Sequence, residues 1–269
     1  MPELPEVETV RRGLEPLLVG AVITRVVLMR RDLRTTIPRD FASRLAGQRV
    51  SAIRRRAKYL LIDTPAATAL CHLGMTGTWR LAPPGDERPH DHCYIELEGG
   101  RRLAFRDPRR FGQLDLVGPG DRHPSLDHLG PEPLGDGFTA TYLRERLRGR
   151  TQAVKALIMD QAIVVGVGNI YAQEACFRAA LRPAVPAGGV PLARLALLVG
   201  EIRAVLTAAI AAGGSTISDF RQAGGDSGYF QHDFKVYDRA GQPCVVCTTS
   251  LRGKVIAGRS TVWCPTCQR

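Results

Sequence analysis

Apolar residues recur at helical spacing near the start of the chain. Val7, Val10, Leu14 and then Leu17 or Leu18 form one stripe, which predicts a helix. Pro5 suits its first turn, where a missing N–H has no partner to lose, and Gly20 reads as its stop. The pattern then changes to short apolar runs. Residues 21–30 predict a strand, Phe41–Leu45 a short helix closed by Gly47, and 48–63 two strands joined by a basic turn, with Lys58 and Tyr59 beginning the second. A strand over 69–73 leads into the loop Gly74-Met75-Thr76-Gly77, and strands at 92–98, 102–106 and 111–117 follow between Pro- and Gly-rich turns. Short strands in succession, without alternating helices, predict a two-layer β-sandwich rather than a βαβ sheet.

The pattern changes again at 118–137, where Gly-Pro-Gly and Gly-Pro-Glu-Pro mark a boundary. From Thr139 onward the periodicity predicts helices over 139–148, 151–159, 169–177 and 191–212. Val-Val-Gly-Val-Gly-Asn at 164–169 lies between the second and third. Its glycines allow a tight turn, and Asn169 is placed to cap the next helix, whose N-terminal N–H groups suit a phosphate; a plain helix–turn–helix packing joint reads equally well. Residues 213–234 are glycine-rich and too long for a simple connector, so they either close over a ligand or make a surface excursion. The expected organisation is α+β with several domains: 1–130, 131–236 and 237–269.

Composition narrows the class of partner. The chain has 269 residues, is 44% hydrophobic, and carries 37 Lys and Arg against 26 Asp and Glu, a formal net charge of +11. Such a basic surface points to an anionic partner, with nucleic acid first among candidates. No apolar stretch reaches transmembrane length, because Arg194, Glu201 and Arg203 interrupt the nearest one, and no signal-peptide pattern opens the chain. Of the seven cysteines, Cys244, Cys247, Cys264 and Cys267 form two Cys-x-x-Cys pairs separated by sixteen residues. That spacing fits one tetrahedral structural Zn²⁺ in a hairpin finger; a redox pair and an iron–sulfur site are the alternatives. Within the finger, Thr261-Val-Trp is a clear strand, while 248–250 and 254–260 suit strands less well. Arg252, Lys254 and Arg259 lie between the cysteine pairs, either facing phosphates or forming a solvated face.

Candidate chemistry concentrates at the N-terminus. Removal of Met1 would leave Pro2 as a secondary amine, with a pKa near neutrality and a positive helix end beside it. Attack on a sugar C1′ would form an iminium, with Glu3 and Glu6 as adjacent carboxylates. Pro and Glu are also ordinary residues at helix starts. Strand alternation places Lys58 on one face with Arg54 and Arg56, which suits proton transfer by a lysine among cations or simply a basic strand. In Phe105-Arg106-Asp107-Pro108-Arg109-Arg110-Phe111-Gly112, an arginine and an aromatic two positions apart can enter a duplex, and Met75 offers a second soft wedge. Met and Phe are otherwise common core residues. His90 and His92 lack a third ligand at zinc spacing, so His90 contacts phosphate or packs.

Together these motifs resemble the formamidopyrimidine-DNA glycosylase family: residues 1–8, Arg-Arg-Ala-Lys-Tyr-Leu at 55–60, His-Leu-Gly-Met at 72–75, Asp-Pro-Arg-Arg-Phe-Gly at 107–112, Val-Val-Gly-Val-Gly-Asn-Ile-Tyr at 164–171 and the Cys₄ finger. The resemblance runs the full length in order. Leu4 favours this branch over the endonuclease VIII branch, which shares the fold. It implies an N-terminal β-sandwich, a helix–two-turn–helix domain and a zinc finger, with duplex DNA held between the halves. It further implies Pro2 as nucleophile, Glu3 as general acid–base, Lys58 in elimination, and Glu6 at the lesion pocket. Met75, Arg109 and Phe111 would fill the void left by a flipped base, and Arg109 would face the orphan cytosine. Asn169 and Arg259 would grip phosphates, Arg259 also serving as a proton donor. His90 and Tyr237 would contact DNA, as would a basic residue near 151; this position is Thr151 here, so Arg150 or Lys155 is the substitute. Residues 217–226 would cover the lesion. The implied activity is removal of 8-oxoguanine opposite cytosine and of formamidopyrimidines, then β,δ-elimination, by a cytoplasmic, nucleoid-associated bacterial monomer holding one zinc. An oxidised-pyrimidine glycosylase of the same fold and a non-enzymatic zinc-dependent DNA-binding protein stand as alternatives.

Overall fold

The computed structural model describes residues 2–214 and 233–269, so most of the loop expected over 213–234, including its lesion-covering part, lies outside the described residues. The chain divides into two compact units, the first containing Met1–Asp127 and the second His128–Ala211 with the C-terminal residues.

The first unit opens with helix α1 (Leu4–Leu18), followed by β1 (Ile23–Leu28), α2 (Phe41–Leu45), β2 (Ala52–Arg56), β3 (Tyr59–Asp63), β4 (Thr68–His72), β5 (Thr78–Leu81), β6 (Asp91–Leu97), β7 (Arg102–Arg106), β8 (Gln113–Val117) and α3 (Pro124–Asp127). The strands form two four-stranded antiparallel sheets, ordered β1-β6-β7-β5 and β2-β3-β4-β8. Their inner faces share one core, to which the first sheet gives Ile23, Ile95, Leu103 and Phe105 and the second Ile53, Leu60, Ile62 and Leu114. The apolar stripe of α1, Val7, Val10, Leu14 and Leu18, is buried in the same core. Burial of each such side chain contributes about 1.5–3 kcal/mol, which ties the N-terminus to the sandwich.

Lys58 is not in a strand beside Arg54 and Arg56, as alternation predicts. β2 and β3 pair with Arg56 opposite Tyr59, so Ala57 and Lys58 form a two-residue turn, with Ala57 at φ +54°. Right-handed strand twist selects such turns, and alanine disguises one because Asn or Gly is the usual signal. The strand expected from 111 begins instead at Gln113, leaving Phe111 on the preceding loop.

The second unit contains α4 (Ala140–Leu147), α5 (Val154–Ile158), α6 (Asn169–Arg178) and α7 (Leu192–Ala211), then the finger hairpin β9 (Arg252–Ile256) and β10 (Arg259–Trp263). Helix α6 packs against α5, α7 and β10. The expected finger hairpin turns at Ala257–Gly258, φ +48° and +72°. Phe177, Val236, Leu251 and Val262 pack with Cys244 and Cys264 in a small core of their own. Among the described residues, no helix is long and apolar enough to cross a membrane.

Candidate functional site

The head of α1 is a buried carboxylate pair. Glu3 is the N-cap, and its N–H donates to Glu6 Oε2 at 2.8 Å while its own side chain accepts from the Glu6 backbone. Reciprocal bonding of this kind satisfies two donors that a helix start otherwise leaves open. Pro2, Glu3 and Glu6 are all buried. Gly214 lies against the pair; a Cβ there would sit 3.3 Å from Glu6 Oε1. Any side chain at 214 would therefore press on this carboxylate.

Helix α1 packs on β2 and β3, the hairpin that carries buried Lys58 at its turn. His72, at the end of β4, stacks on Tyr59 with ring centroids 4.8 Å apart, and its Nδ1 accepts the Gly74 N–H at 3.0 Å. Burial first, then the nearby positive charges of Lys58 and Arg34, pull the His72 pKa down to about 4. The imidazole is neutral at physiological pH, so its Nδ1 stays available to hold the loop at 74.

Two neighbouring loops carry exposed Met75 and, together, Arg109 and Phe111. Asp107, 0% exposed, binds them to each other. One carboxylate oxygen accepts from the Thr76 hydroxyl and the other from the Gly112 N–H at 2.7 Å. Thr76 Oγ1 in turn accepts the Arg109 N–H at 3.3 Å. The guanidinium carbon of Arg109 lies 4.8 Å from the centroid of the Phe111 ring. Gly74 abuts the backbone of Phe111 and Gly112 so closely that no Cβ would fit. Met75 and Phe111 are 39% and 44% exposed, so these apolar side chains are displayed rather than packed. His90 joins the same system: its carbonyl accepts the Asp107 N–H at 3.0 Å, and the His92 ring bonds the Asp107 carbonyl at 2.8 Å. Ala57, His90, Arg110 and Ala257 all have left-handed φ, and each stands within two residues of a candidate side chain. Backbone strain of this sort concentrates at functional sites.

In the second unit, Asn169 is not the helix cap. Gly168 holds that position, and Asn169 is the first residue of α6. Its Oδ1 accepts from Lys155 Nζ at 2.5 Å, and its Nδ2 donates to the Ser260 carbonyl at 3.1 Å. Lys155 differs from the expectation of a DNA-facing cation. It is 0% exposed and also donates to Thr261 Oγ1 at 2.8 Å, so its ammonium holds Asn169 against the finger. Arg150 and Arg259 are exposed. Tyr237 is half-buried, its ring set edge-on to Phe234 at 5.4 Å.

Gln173 and Glu174 were not singled out by sequence reasoning. Gln173 accepts the Val262 N–H at 2.6 Å and donates to Ser260 O at 3.1 Å, seating β10 on α6. Glu174, fully buried, accepts the backbone N–H groups of Lys235, Val236 and Tyr237. Two adjacent polar residues inside the otherwise apolar run 170–177 were the available signal. Asp107 sat inside a noted motif, but only the fold reveals which two loops it joins.

The four finger sulfurs lie within 4.8 Å of one another, with Cys244–Cys267 at 3.9 Å and Cys247–Cys264 at 3.4 Å. Tetrahedral Zn²⁺ with bonds of about 2.3 Å brings its sulfurs to roughly 3.8 Å apart, so the donor set fits one structural zinc with no open position for chemistry. Cys71 and Cys176 are buried, which pushes both thiols up to about 12, and burial raises Cys93 as well. All three are inert at neutral pH.

Comparison with known proteins covers nearly the whole chain. Residues 1–114 match the family model for the formamidopyrimidine-DNA glycosylase N-terminal domain, 129–221 that for the formamidopyrimidine-DNA glycosylase H2TH domain, and 241–269 a zinc finger found in FPG and IleRS. The formamidopyrimidine-DNA glycosylase of Bdellovibrio bacteriovorus is 56% identical over 270 residues, covering 100% of both chains. That of Stenotrophomonas maltophilia is 51% identical over 271 residues with the same coverage. The crystal structure of the MutM (Fpg) protein from Thermus thermophilus is similar with TM-score 0.89 and 43% identity, over 99% of this chain and 98% of that one. Lactococcus lactis Fpg in complex with DNA containing an abasic site gives TM-score 0.91 at 33% identity, over 99% of both chains.

Proposed function

The chain belongs to the formamidopyrimidine-DNA glycosylase family, and from that premise we propose that it excises oxidised purines from duplex DNA and then cleaves the strand as an AP lyase. The observation that carries this reading is the placement of Pro2 at the positive end of α1, directly before the buried Glu3–Glu6 pair. The processed secondary amine of Pro2 attacks C1′ and the base leaves. Glu3 delivers a proton to O4′ as the C1′–O4′ bond opens, and the resulting iminium acidifies C2′, so the 3′-phosphate and then the 5′-phosphate depart. Lys58 assists elimination from its strained turn, and Glu6 lines the lesion pocket. Arg259, exposed at the start of β10, donates the proton in the last elimination.

Flipping a nucleotide costs a few kcal/mol. Met75, Arg109 and Phe111 offset that cost by occupying the void, held in register by Asp107. Asn169, His90, Arg150 and Tyr237 grip the backbone, with Lys155 acting through Asn169. The finger's cysteines hold one structural zinc, which fixes the hairpin bearing Arg259 and takes no part in the chemistry. Residues 1–130 carry the chemistry, 131–236 the helix–two-turn–helix grip and 237–269 the finger. The partner is duplex DNA with oxidised purines or abasic sites, bound by a monomer at the chromosome in the cytoplasm.

The test compares excision of 8-oxoguanine opposite cytosine with excision of thymine glycol. Preference for 8-oxoguanine supports the reading, whereas preference for thymine glycol assigns an oxidised-pyrimidine enzyme. Pro2→Gly should abolish most turnover and leave duplex binding largely intact; equal loss of both would contradict a purely chemical role for Pro2.

A further inference from the structure

The turn between α5 and α6 is closed by a side chain. Ile163 and Val164 N–H both donate to the Asp160 carbonyl, but the last residues before α6 are held otherwise. Gln161 Oε1 accepts the Gly166 N–H at 2.8 Å, while Gln161 Nε2 donates to the Met159 carbonyl at 3.1 Å and to the Val167 carbonyl at 3.3 Å. Its own carbonyl accepts the Gly130 N–H at 2.8 Å. One amide thus bridges the entry and exit of the turn. Gly166 sits at φ +79°, a conformation with no local ladder of its own, and Val164, Val165 and Val167 around it are fully buried. A backbone N–H left unpaired in such surroundings is costly, so the turn has a strong reason to keep this partner. Two residues beyond Gly166, Gly168 caps α6 and directly precedes Asn169, so the path of this turn sets where Asn169 stands.

We infer that Gln161 is a positioning residue for phosphate binding: its amide locks the 160–168 turn and so aims Asn169 at the DNA backbone. The inference rests on the proposed role of Asn169 in gripping phosphate. Gln161 itself touches no substrate. Its loss should therefore weaken binding through Asn169 rather than slow the chemical steps.

The experiment uses the zinc-loaded full chain and a duplex carrying an uncleavable tetrahydrofuran abasic-site analogue. Gln161→Met preserves the side chain's length and removes its hydrogen bonds. It should weaken this binding about tenfold, with single-turnover excision at saturating 8-oxoguanine duplex changed by less than about threefold. Gln161→Asn, one methylene too short to span both ends of the turn, should weaken binding much as Gln161→Met does. The deciding readout is a double-mutant cycle: if Gln161 acts through Asn169, Gln161→Met with Asn169→Ala should bind about as poorly as Asn169→Ala alone. Independent, multiplying losses would overturn the inference and assign Gln161 a merely structural role. Should Asn169→Ala alone leave binding unchanged, the phosphate-gripping reading falls and this inference with it. Hydrogen exchange of the Gly166 amide in the unmodified protein gives a check that needs no variant: slow exchange is expected, and exchange at the rate of an open loop would overturn the bridge.

Discussion

The two units hold their candidate site residues by different means. In the first, the helix carrying Pro2 and Glu3 is anchored by the sandwich core, and only the final placement of Met75, Arg109 and Phe111 depends on polar bonds. In the second, Asn169 and the Arg259 hairpin are tied by polar side chains, Lys155, Gln173, Glu174 and the four cysteines, beside only a small apolar core of Phe177, Val236, Leu251 and Val262. A large apolar core tolerates change at its edges, while a chain of buried polar ties fails when one member is lost. Catalysis and grip should therefore be separable by mutation, with the grip the more brittle of the two.

Zinc removal should separate them most strongly. Structural zinc contributes about 10–16 kcal/mol to small metal-folded modules. Chelation is expected to unfold the finger and abolish specific duplex binding, while proteolysis, and tryptophan fluorescence in a Trp263→Phe background, report Trp79 still buried in an intact sandwich. Loss of the sandwich on chelation would show that the first unit depends on the finger for its stability. Glu3→Gln comes next. It should cut turnover by about 10²–10⁴-fold with little change in thermal stability or binding, because the amide oxygen can still accept the helix N–H.

The third test is a pH titration confined to the first unit. Unfolded histidine takes up its proton near 6.5, whereas folded His72 does so only near 4. The unfolded state therefore binds more protons between those values, and stability should fall as pH drops through that window, by up to about 3 kcal/mol. Denaturant unfolding at several pH values should show this slope. His72→Asn, which retains an acceptor for the Gly74 N–H, should remove it; an unchanged slope would place the titration elsewhere. The smallest expected effect is Glu174→Gln, costing about 1–3 kcal/mol, because an amide sets its own donors against the N–H groups of Lys235, Val236 and Tyr237. Weakened DNA binding with turnover intact at saturating DNA would sharpen the comparison, and the reverse pattern would contradict it.

How much of this was legible in the sequence follows the same division. The apolar stripe of α1 and the short alternating strands encode the sandwich directly, and Cys-x-x-Cys spacing encodes the finger. Both hairpins were expected, but the exact position of the first turn was not, because Ala57 occupies a left-handed position where Asn or Gly is the usual mark. Lys58 consequently read as a strand residue. Lys155 read as a surface cation because burial is not a property of one residue: its partners Asn169 and Thr261 are 14 and 106 positions away. The same holds for Asp107 and Glu174, whose roles lie in backbone donors that only the fold delivers.

The central claim is that Pro2 is the nucleophile, and borohydride trapping with an 8-oxoguanine:cytosine duplex followed by peptide mass mapping tests it most directly. Reduction of the iminium should leave DNA covalently fixed to an N-terminal peptide beginning at Pro2. Protein that is zinc-loaded, correctly processed and bound to the duplex, yet yields no adduct at Pro2 with this substrate or with thymine glycol, would contradict the account.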